Sequence, residues 1–369
     1  MVGRILAATI AVVVAIVFCE AALRIAGPPW LRASMAETAA GHRVLGETPN
    51  LFECAKYANG EFIRFQPSVT FSVVNPEYRN EVHITPWGTR ATGADGTGKD
   101  AIVFAGDSFT FGLGVDDRET FVSRICREQS LTCLNSGFPG SSLSSQLNAL
   151  EANLEEWGQP TRVVFVFFAG NDLPEIVSLA ERAEQRPVQP PARTLSLLRG
   201  LNQTVNDSPL LSRSYTLRLF KATARTWAAP NSMDLMFSTA AGASGDFGRR
   251  ARTALIAALD RLDQLSKARG FSASFIVLPD RYQVFRPLMI DKAHYYHLDP
   301  VALDMQFPQR VLEAELDRRG ILYQDVLPCL DPRDEEQYYR NDNHLTARGH
   351  AVVGSCLVKN GLLQRAAVR

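Results

Sequence analysis

The chain has 369 residues, 46% of them hydrophobic, and its 39 lysines and arginines balance 39 aspartates and glutamates. This length accommodates one large domain or two modest ones, and the hydrophobic content excludes a mostly disordered chain. Because the net charge is zero and no nucleic-acid-binding motif is present, we expect no nucleic-acid partner.

The six cysteines are scattered, without a C-x-x-C pair or the spacing of a zinc site, so the sequence predicts no metal ion. Cys126 and Cys133 are close enough along the chain to form a disulfide if the protein is exported. Buried free thiols are nevertheless the default expectation for the cysteines.

The amino terminus carries an apolar run from Ile5 to Cys19, which extends to Leu23 if Glu20 is tolerated. That extension is marginal for a bilayer span, which needs about 18–20 residues. No good signal-peptidase site follows, so we interpret residues 1–27 as an uncleaved signal-anchor, a transmembrane segment with most of the chain outside the cytoplasm. Arginines on both sides of the run leave its orientation open.

Residues 28–98 are predicted to form a linker followed by a small β-rich subdomain. Short β-like runs at Phe62–Phe65, Val69–Val74 and Val82–Ile84 are separated by Gly, Pro and Asn turns. We expect them to form a small antiparallel apron beside the main sheet.

From residue 99 to residue 369, apolar strand-like runs alternate with helical patterns, which is typical of a doubly wound parallel α/β domain. A long mixed span at about residues 173–245 is interpreted as an insertion that partly covers the site. The predicted strands are 101–105, 131–135, 162–168, 272–278 and 321–326, and the predicted helices are 118–129, 146–156, 247–269, 311–319 and one that begins near Thr346.

Polar residues follow the predicted strands at their carboxyl ends. They are Ser108 in a Gly-Asp-Ser turn, Gly137, Asn171, and the pair Asp342 and His344 near the carboxyl terminus. Because the carboxyl ends of parallel strands meet at one edge of an open sheet, we expect these residues to share a cleft.

Together these residue types suit acyl transfer from an ester. A serine hydroxyl needs a nearby base, usually histidine, and the imidazole needs an acceptor on its other nitrogen. Backbone N–H groups of Ser108 and Gly137 and the Asn171 amide are the predicted donors to the oxyanion. The alternative interpretation is an ordinary strand-to-helix turn with a surface serine, and a histidine that only satisfies a turn.

The segments GDSFTFG, NSGFPG, AGND and NDNHL resemble, in order, the four sequence blocks of the SGNH (GDSL-like) hydrolase superfamily. VHITPWGTR and VLPDRYQV look like a membrane-anchored bacterial branch of it. The resemblance implies a three-layer flavodoxin-like sheet and serine-dependent ester hydrolysis without a metal or cofactor. For a domain on the periplasmic side of the inner membrane, it implies O-acyl (for example O-acetyl) groups on a cell-envelope glycan as substrate.

The last block departs from the family pattern, which places its aspartate three residues before the histidine. Asn341 occupies that position here, and Asp342 lies two residues before His344. Asp342 is predicted to orient His344, because a carboxylate stabilises an imidazolium strongly. The alternative is a Ser-His dyad in which Asn341 is a neutral orienter.

Two other functions use the same sequence features. One is an O-acyltransferase with the same Ser-His-Asp site, and the other is a non-catalytic, membrane-anchored module that binds a glycan or assists assembly. Outside the site, His350 is predicted to be structural, and Asp107 and Asp172 are predicted to hold loops through backbone hydrogen bonds.

Overall fold

The computed structural model of the chain describes residues 2–27, 51–58, 61–75, 77–184, 214–217, 219–220, 245–296, 298–340 and 342–367. The strands are β1 (Ala55–Ala58), β2 (Glu61–Phe65), β3 (Thr70–Asn75), β4 (Tyr78–His83), β5 (Ile102–Gly106), β6 (Cys133–Gly137), β7 (Arg162–Phe168), β8 (Ser272–Leu278) and β9 (Leu322–Asp325). The helices are Val2–Ala26, Ser108–Phe111, Phe121–Glu128, Leu143–Asn153, Asp172–Glu184, Asp246–Arg269, Arg281–Val284, Arg286–Tyr295, Phe307–Arg319, Ala347–Asn360 and Leu362–Ala367.

The central sheet has five parallel strands in the order β6-β5-β7-β8-β9. Numbered within this domain, the order is 2-1-3-4-5, that of a flavodoxin-like doubly wound sheet. β7 is almost wholly apolar because helices cover both faces of the sheet, and each face carries its own hydrophobic core. The prediction of a parallel α/β fold is confirmed.

The long helix Asp246–Arg269 shows how the covering layers are specified. It buries Leu255, Leu259 and Leu262 against the sheet and ends at Gly270, whose φ of +73° caps the helix. At the carboxyl terminus, the Thr346 hydroxyl accepts a hydrogen bond from the Gly349 N–H at 3.2 Å and begins the helix Ala347–Asn360. This cap fixes the start of the helix directly after the predicted catalytic histidine.

The N-terminal strands form two small antiparallel sheets, β1 with β2 and β3 with β4. Their apolar side chains make a third core that includes Phe111, in the short helix after β5, and Phe138, in the loop after β6. Phe62 stacks on Phe138 with ring centroids 3.7 Å apart, and Phe65 lies 5.5 Å from Phe111. The apron therefore packs against the two loops that carry the predicted site.

Four cysteines form disulfides, so the expectation of free thiols is wrong for them. Cys126 pairs with Cys133, and Cys329 pairs with Cys356. Helix Phe121–Glu128 and strand β6 bring the Cα atoms of the first pair within 6.2 Å, which lies in the usual range for a disulfide. Cys19 and Cys54 are free thiols.

The N-terminal segment forms a helix from Val2 to Ala26. Within the described ranges, no helix combines the length and apolar character that crossing a membrane requires. The structure therefore gives no support to a signal-anchor at residues 1–27. The carboxylate of Glu20 is held by the backbone N–H groups of Tyr215 and Thr216, each at 3.0 Å.

Most of the predicted insertion at residues 173–245 lies outside the described residues. The interpretation that it partly covers the site therefore stays a prediction.

Candidate active site

The predicted nucleophile follows the carboxyl end of strand β5, which lies between β6 and β7 in the sheet. Ser108 is the first residue of a short helix, and Asp107 caps that helix by accepting the Phe109 N–H at 2.9 Å. Gly106 is required before it, because a Cβ there would lie 2.0 Å from the Thr110 hydroxyl oxygen. The sharp turn thus holds Ser108 at the edge of the sheet.

Ser108, His344 and Asp342 form a continuous chain of hydrogen bonds. The His344 Nε2 lies 2.7 Å from the Ser108 Oγ, and the Nδ1 contacts the Oδ1 of Asp342. The same carboxylate oxygen also accepts the His344 backbone N–H at 3.0 Å. The structure therefore brings together the three residues that the sequence predicts, although Ser108 and His344 are 236 residues apart. Asn341, the alternative orienter, lies outside the described residues.

The charge of Asp342 suits it to orient an imidazole. Burial alone would raise the pKa of its carboxyl group, but hydrogen bonds from His344 and the Tyr78 hydroxyl and the charge of His344 outweigh burial and lower the pKa below its usual range. An ionised carboxylate accepts the proton on Nδ1, which leaves Nε2 free to accept the serine proton. This is the arrangement that a general base needs.

The Gly137 N–H, a predicted donor to the oxyanion, already has a partner in this structure. It donates to the Asn135 side-chain oxygen at 3.0 Å. A Cβ at this position would lie 2.2 Å from the Phe111 nitrogen. Glycine is therefore required for the helix Ser108–Phe111 to pack on β6. Gly137 thus allows close packing between β6 and this helix.

The Asn171 side chain is held by a residue that the sequence analysis missed. Its Nδ2 donates to the Glu175 Oε1 at 2.9 Å, while its Oδ1 is buried and has no partner among the described residues. Glu175 lies in the helix Asp172–Glu184, one turn after Asn171. This i,i+4 spacing at a helix start is a signal that could have identified the pair.

Three acids lie together beneath Ser108 and Asn171, namely Asp107, Asp172 and Glu175. Burial raises the pKa of Asp107 to about 6, and burial together with the charge of Asp107 raises that of Glu175 to about 7. Burial and the two neighbouring acids also raise the pKa of Asp172. The group therefore carries fewer than three negative charges near neutral pH, which limits repulsion of an oxyanion beside it.

Asp107 and Asp172 also hold loops, as the sequence predicts for them. Asp172 accepts the Phe168 N–H at 3.0 Å, as Asp107 accepts that of Phe109.

Throughout the described part of the chain, no set of three or more His, Cys, Asp or Glu side chains is arranged to hold a metal ion.

We expect Glu175→Gln to stabilise the protein at alkaline pH. The folded state raises the pKa of Glu175 from 4.5 to about 7, so between these values the unfolded chain loses a proton that the folded chain keeps. Ionisation therefore favours unfolding as the pH rises, by up to about 3 kcal/mol above pH 7. Thermal melting should show a higher Tm for the variant at pH 8.5 and no difference near pH 4. Glu155→Gln changes an exposed glutamate and is the control, which should melt like wild type at both pH values. Equal melting of wild type and Glu175→Gln at both pH values would contradict this expectation.

Two buried arginines hold the loops that carry Ser108 and His344. The Arg281 Nη1 donates to the carbonyl oxygens of Tyr339, Arg340 and Asp342 at 3.1–3.2 Å and so fixes the histidine loop against the end of β8. Arg90 holds the loop after the serine helix through the carbonyl oxygens of Phe111, Gly112 and Val115 and the carboxylate of Asp117. The segments VHITPWGTR and VLPDRYQV thus position the site.

Two further histidines of the described ranges, His350 and His294, have other surroundings. His350 is buried, its Nδ1 accepts the Phe121 N–H at 3.1 Å, and burial lowers its pKa to about 3, so it is a neutral structural residue. His294 is exposed on the helix Arg286–Tyr295.

The solved structures that align with this chain include lipolytic proteins and an esterase. A member of the lipolytic protein G-D-S-L family from Veillonella parvula aligns over 70% of this chain and 96% of its own, with 12% identity and a TM-score of 0.38. The lipase Lip_vut3 from a goat rumen metagenome aligns over 71% and 97%, with 14% identity and a TM-score of 0.38. The psychrotrophic esterase EstA from Pseudoalteromonas sp. aligns over 73% and 100%, with 10% identity and a TM-score of 0.37. No family model matches the sequence, and no curated protein matches it.

Proposed function

We propose that the protein is a serine esterase that hydrolyses carboxylic esters. The observation that carries this proposal is the hydrogen-bonded chain from the Ser108 Oγ through His344 to the Asp342 carboxylate. A serine that is only a turn residue does not need a histidine 2.7 Å away whose other nitrogen contacts a carboxylate.

Acylation uses each of the three side chains. The Ser108 oxygen attacks the ester carbonyl carbon while its proton passes to the His344 Nε2. Asp342 stabilises the resulting imidazolium through Nδ1. The tetrahedral intermediate then expels the alcohol, which takes the proton from Nε2, and the acyl group remains on Ser108.

Water completes the cycle by attacking the acyl carbon while His344 accepts its proton. The intermediate collapses to the free acid, and the proton returns to the Ser108 oxygen. Donors to the oxyanion are the Ser108 N–H and the Asn171 amide. The amide nitrogen carries two hydrogens, so Glu175 can take one and orient the other toward the substrate.

We further propose that the domain works outside the cytoplasm on O-acyl groups of cell-envelope glycans. The two disulfides support an oxidising compartment, because cytosolic thiols are kept reduced. The glycan substrate comes from the sequence resemblance, and it is tested together with the esterase activity.

The test is hydrolysis of p-nitrophenyl acetate and release of acetate from an O-acetylated glycan by the full-length protein. We expect wild type to hydrolyse both and His344→Ala to lose about 10³-fold in rate, since a general base contributes about 10²–10⁴-fold. His294→Ala, which changes an exposed histidine, should match wild type. Absence of any wild-type hydrolysis would overturn the esterase proposal, and hydrolysis of the small ester alone would overturn the glycan proposal.

A further inference from the structure

The antiparallel strands β3 and β4, which we call the apron hairpin, reach the site from outside the α/β domain. The Oδ1 of Asp342 faces His344, while its Oδ2 accepts hydrogen bonds from the Tyr78 hydroxyl at 2.9 Å and the Asn75 amide at 3.4 Å. Asn75 and Tyr78 are paired across the hairpin. Both oxygens of the carboxylate are therefore engaged, one by the proposed base and one by the apron hairpin.

Glu77, between these two residues, holds the backbone of the same loop. Its Oε1 accepts the Arg340 N–H at 3.0 Å, and its Oε2 accepts the Asp342 N–H at 2.9 Å. A carboxylate that accepts two backbone donors restrains the loop at two points. The apron hairpin thus fixes the backbone of Asp342 as well as its side chain.

The contact between Tyr78 and Asp342 is charge-assisted. The Asp342 side chain is only 15% exposed, and a hydroxyl that donates to a shielded carboxylate makes a strong hydrogen bond. Burial, followed by the charge of Asp342 and the hydrogen bond to it, raises the pKa of Tyr78. The hydroxyl therefore remains protonated, and a donor, throughout the pH range in which the enzyme would work.

We propose that Tyr78 is a positioning residue for Asp342 and that Glu77 holds the loop in register, so that the apron hairpin is a part of the catalytic apparatus. This inference rests on the proposed esterase function. It goes beyond the family resemblance, because Tyr78 precedes every segment that carries the resemblance and is separated from Asp342 by 264 residues.

Several charged or titratable groups surround Asp342. His344 and Tyr339 belong to its own loop, Glu77 and Tyr78 come from the apron hairpin, and Arg281 approaches its carbonyl at 3.2 Å. Among these, only Tyr78 and His344 contact the carboxylate itself. Removing the Tyr78 hydroxyl leaves more of the negative charge on Asp342 to stabilise the imidazolium. The acidic limb of the pH profile should then move to higher pH.

The experiment compares Tyr78→Phe with wild type in the full-length protein, with p-nitrophenyl acetate as substrate. We expect kcat to fall roughly 10- to 100-fold, the effect of one charge-assisted hydrogen bond, while KM stays within about twofold. The acidic limb of the kcat/KM profile should move to higher pH. Unchanged kcat and an unmoved limb would overturn the proposal.

Tyr339→Phe is the matched control. Its ring packs on Tyr78 with centroids 4.8 Å apart, but its hydroxyl donates to the Gly114 carbonyl at 2.6 Å and not to Asp342. The same deletion of a hydroxyl should leave kcat and the pH profile as in wild type. Equal losses in the two variants would indicate general loosening of the loop and would overturn the assignment of Tyr78.

A second measurement separates this proposal from the esterase function. A proton on the His344 Nδ1 that is hydrogen-bonded to Asp342 is expected to resonate far downfield in the proton NMR spectrum, whether or not the protein hydrolyses esters. Tyr78→Phe and Glu77→Gln should move or broaden this signal, and Tyr339→Phe should not. If wild type is inactive but the signal responds in this way, the esterase proposal fails and the positioning role stands. If the signal does not respond, the positioning role fails.

Discussion

Replacing Ser108 with alanine is expected to abolish ester hydrolysis, with a loss of at least about 10⁴-fold in kcat. Without the hydroxyl, no covalent acyl intermediate can form, and only binding and oxyanion stabilisation remain. The helix that begins at Ser108 is capped by Asp107 and not by the serine side chain, so the variant should fold and melt like wild type. The measurements are kcat for p-nitrophenyl acetate and labelling by a fluorophosphonate, located by mass spectrometry.

Ser136→Ala is the matched control for this variant. Ser136 lies on the neighbouring strand β6, where it pairs with Ala105, one residue before the end of β5. It should keep wild-type hydrolysis and phosphonate labelling. Hydrolysis by Ser108→Ala within tenfold of wild type, or labelling at another residue, would rule out Ser108 as the nucleophile. Absence of both hydrolysis and labelling in wild type would favour the non-catalytic module.

The second large effect is expected for Asp342→Asn, with a loss of about 10³–10⁴-fold in kcat. An amide cannot stabilise the imidazolium, and it favours the tautomer in which Nε2 carries the proton and cannot accept one from Ser108. Tyr78 can still donate to the asparagine oxygen, so the loop should keep its place. The pH dependence of kcat and the melting temperature distinguish a chemical loss from unfolding.

Asp331→Asn tests whether the loss is specific to this acid. Asp331 is a partly exposed acid in the same C-terminal region and pairs with Arg333. Its replacement should leave kcat unchanged, since an exposed ion pair contributes little to stability. If Asp342→Asn retained activity within about tenfold, Asp342 would not be the orienter, and the Ser-His dyad would replace the triad.

The doubly wound sheet could be predicted because the residues of each strand indicate whether its two faces are buried. β7 is apolar along nearly its whole length, and a run of that kind between helical patterns is stable only when both faces are covered. Strands 162–168 and 272–278 were located to the residue, whereas β5 and β6 begin one or two residues later than predicted. Such ends depend on the loops that continue them, here the turns at Gly106 and Gly137.

The disulfides could not be decided from spacing alone. Cys329 and Cys356 are 27 residues apart, and only the packing of the helix Ala347–Asn360 against the segment after β9 brings their Cα atoms to 6.1 Å. The apron was also only partly predictable. Its short strands were recognisable as β-like runs between Gly, Pro and Asn turns, but the sequence did not show that they contact the catalytic loops. Tyr78 and Glu77 had no pattern that linked them to Asp342.

By itself the sequence determined the parallel α/β fold and the residues that could supply a nucleophile, a base and its orienter, because strand ends and turn residues are local features. The tertiary structure alone decided that Gly137 packs against the helix Ser108–Phe111. It also decided that a hairpin from outside the α/β domain holds Asp342. These roles depend on which residues from different parts of the chain come into contact. A hydrogen bond requires a specific distance and direction between its two atoms, and the folded structure sets both.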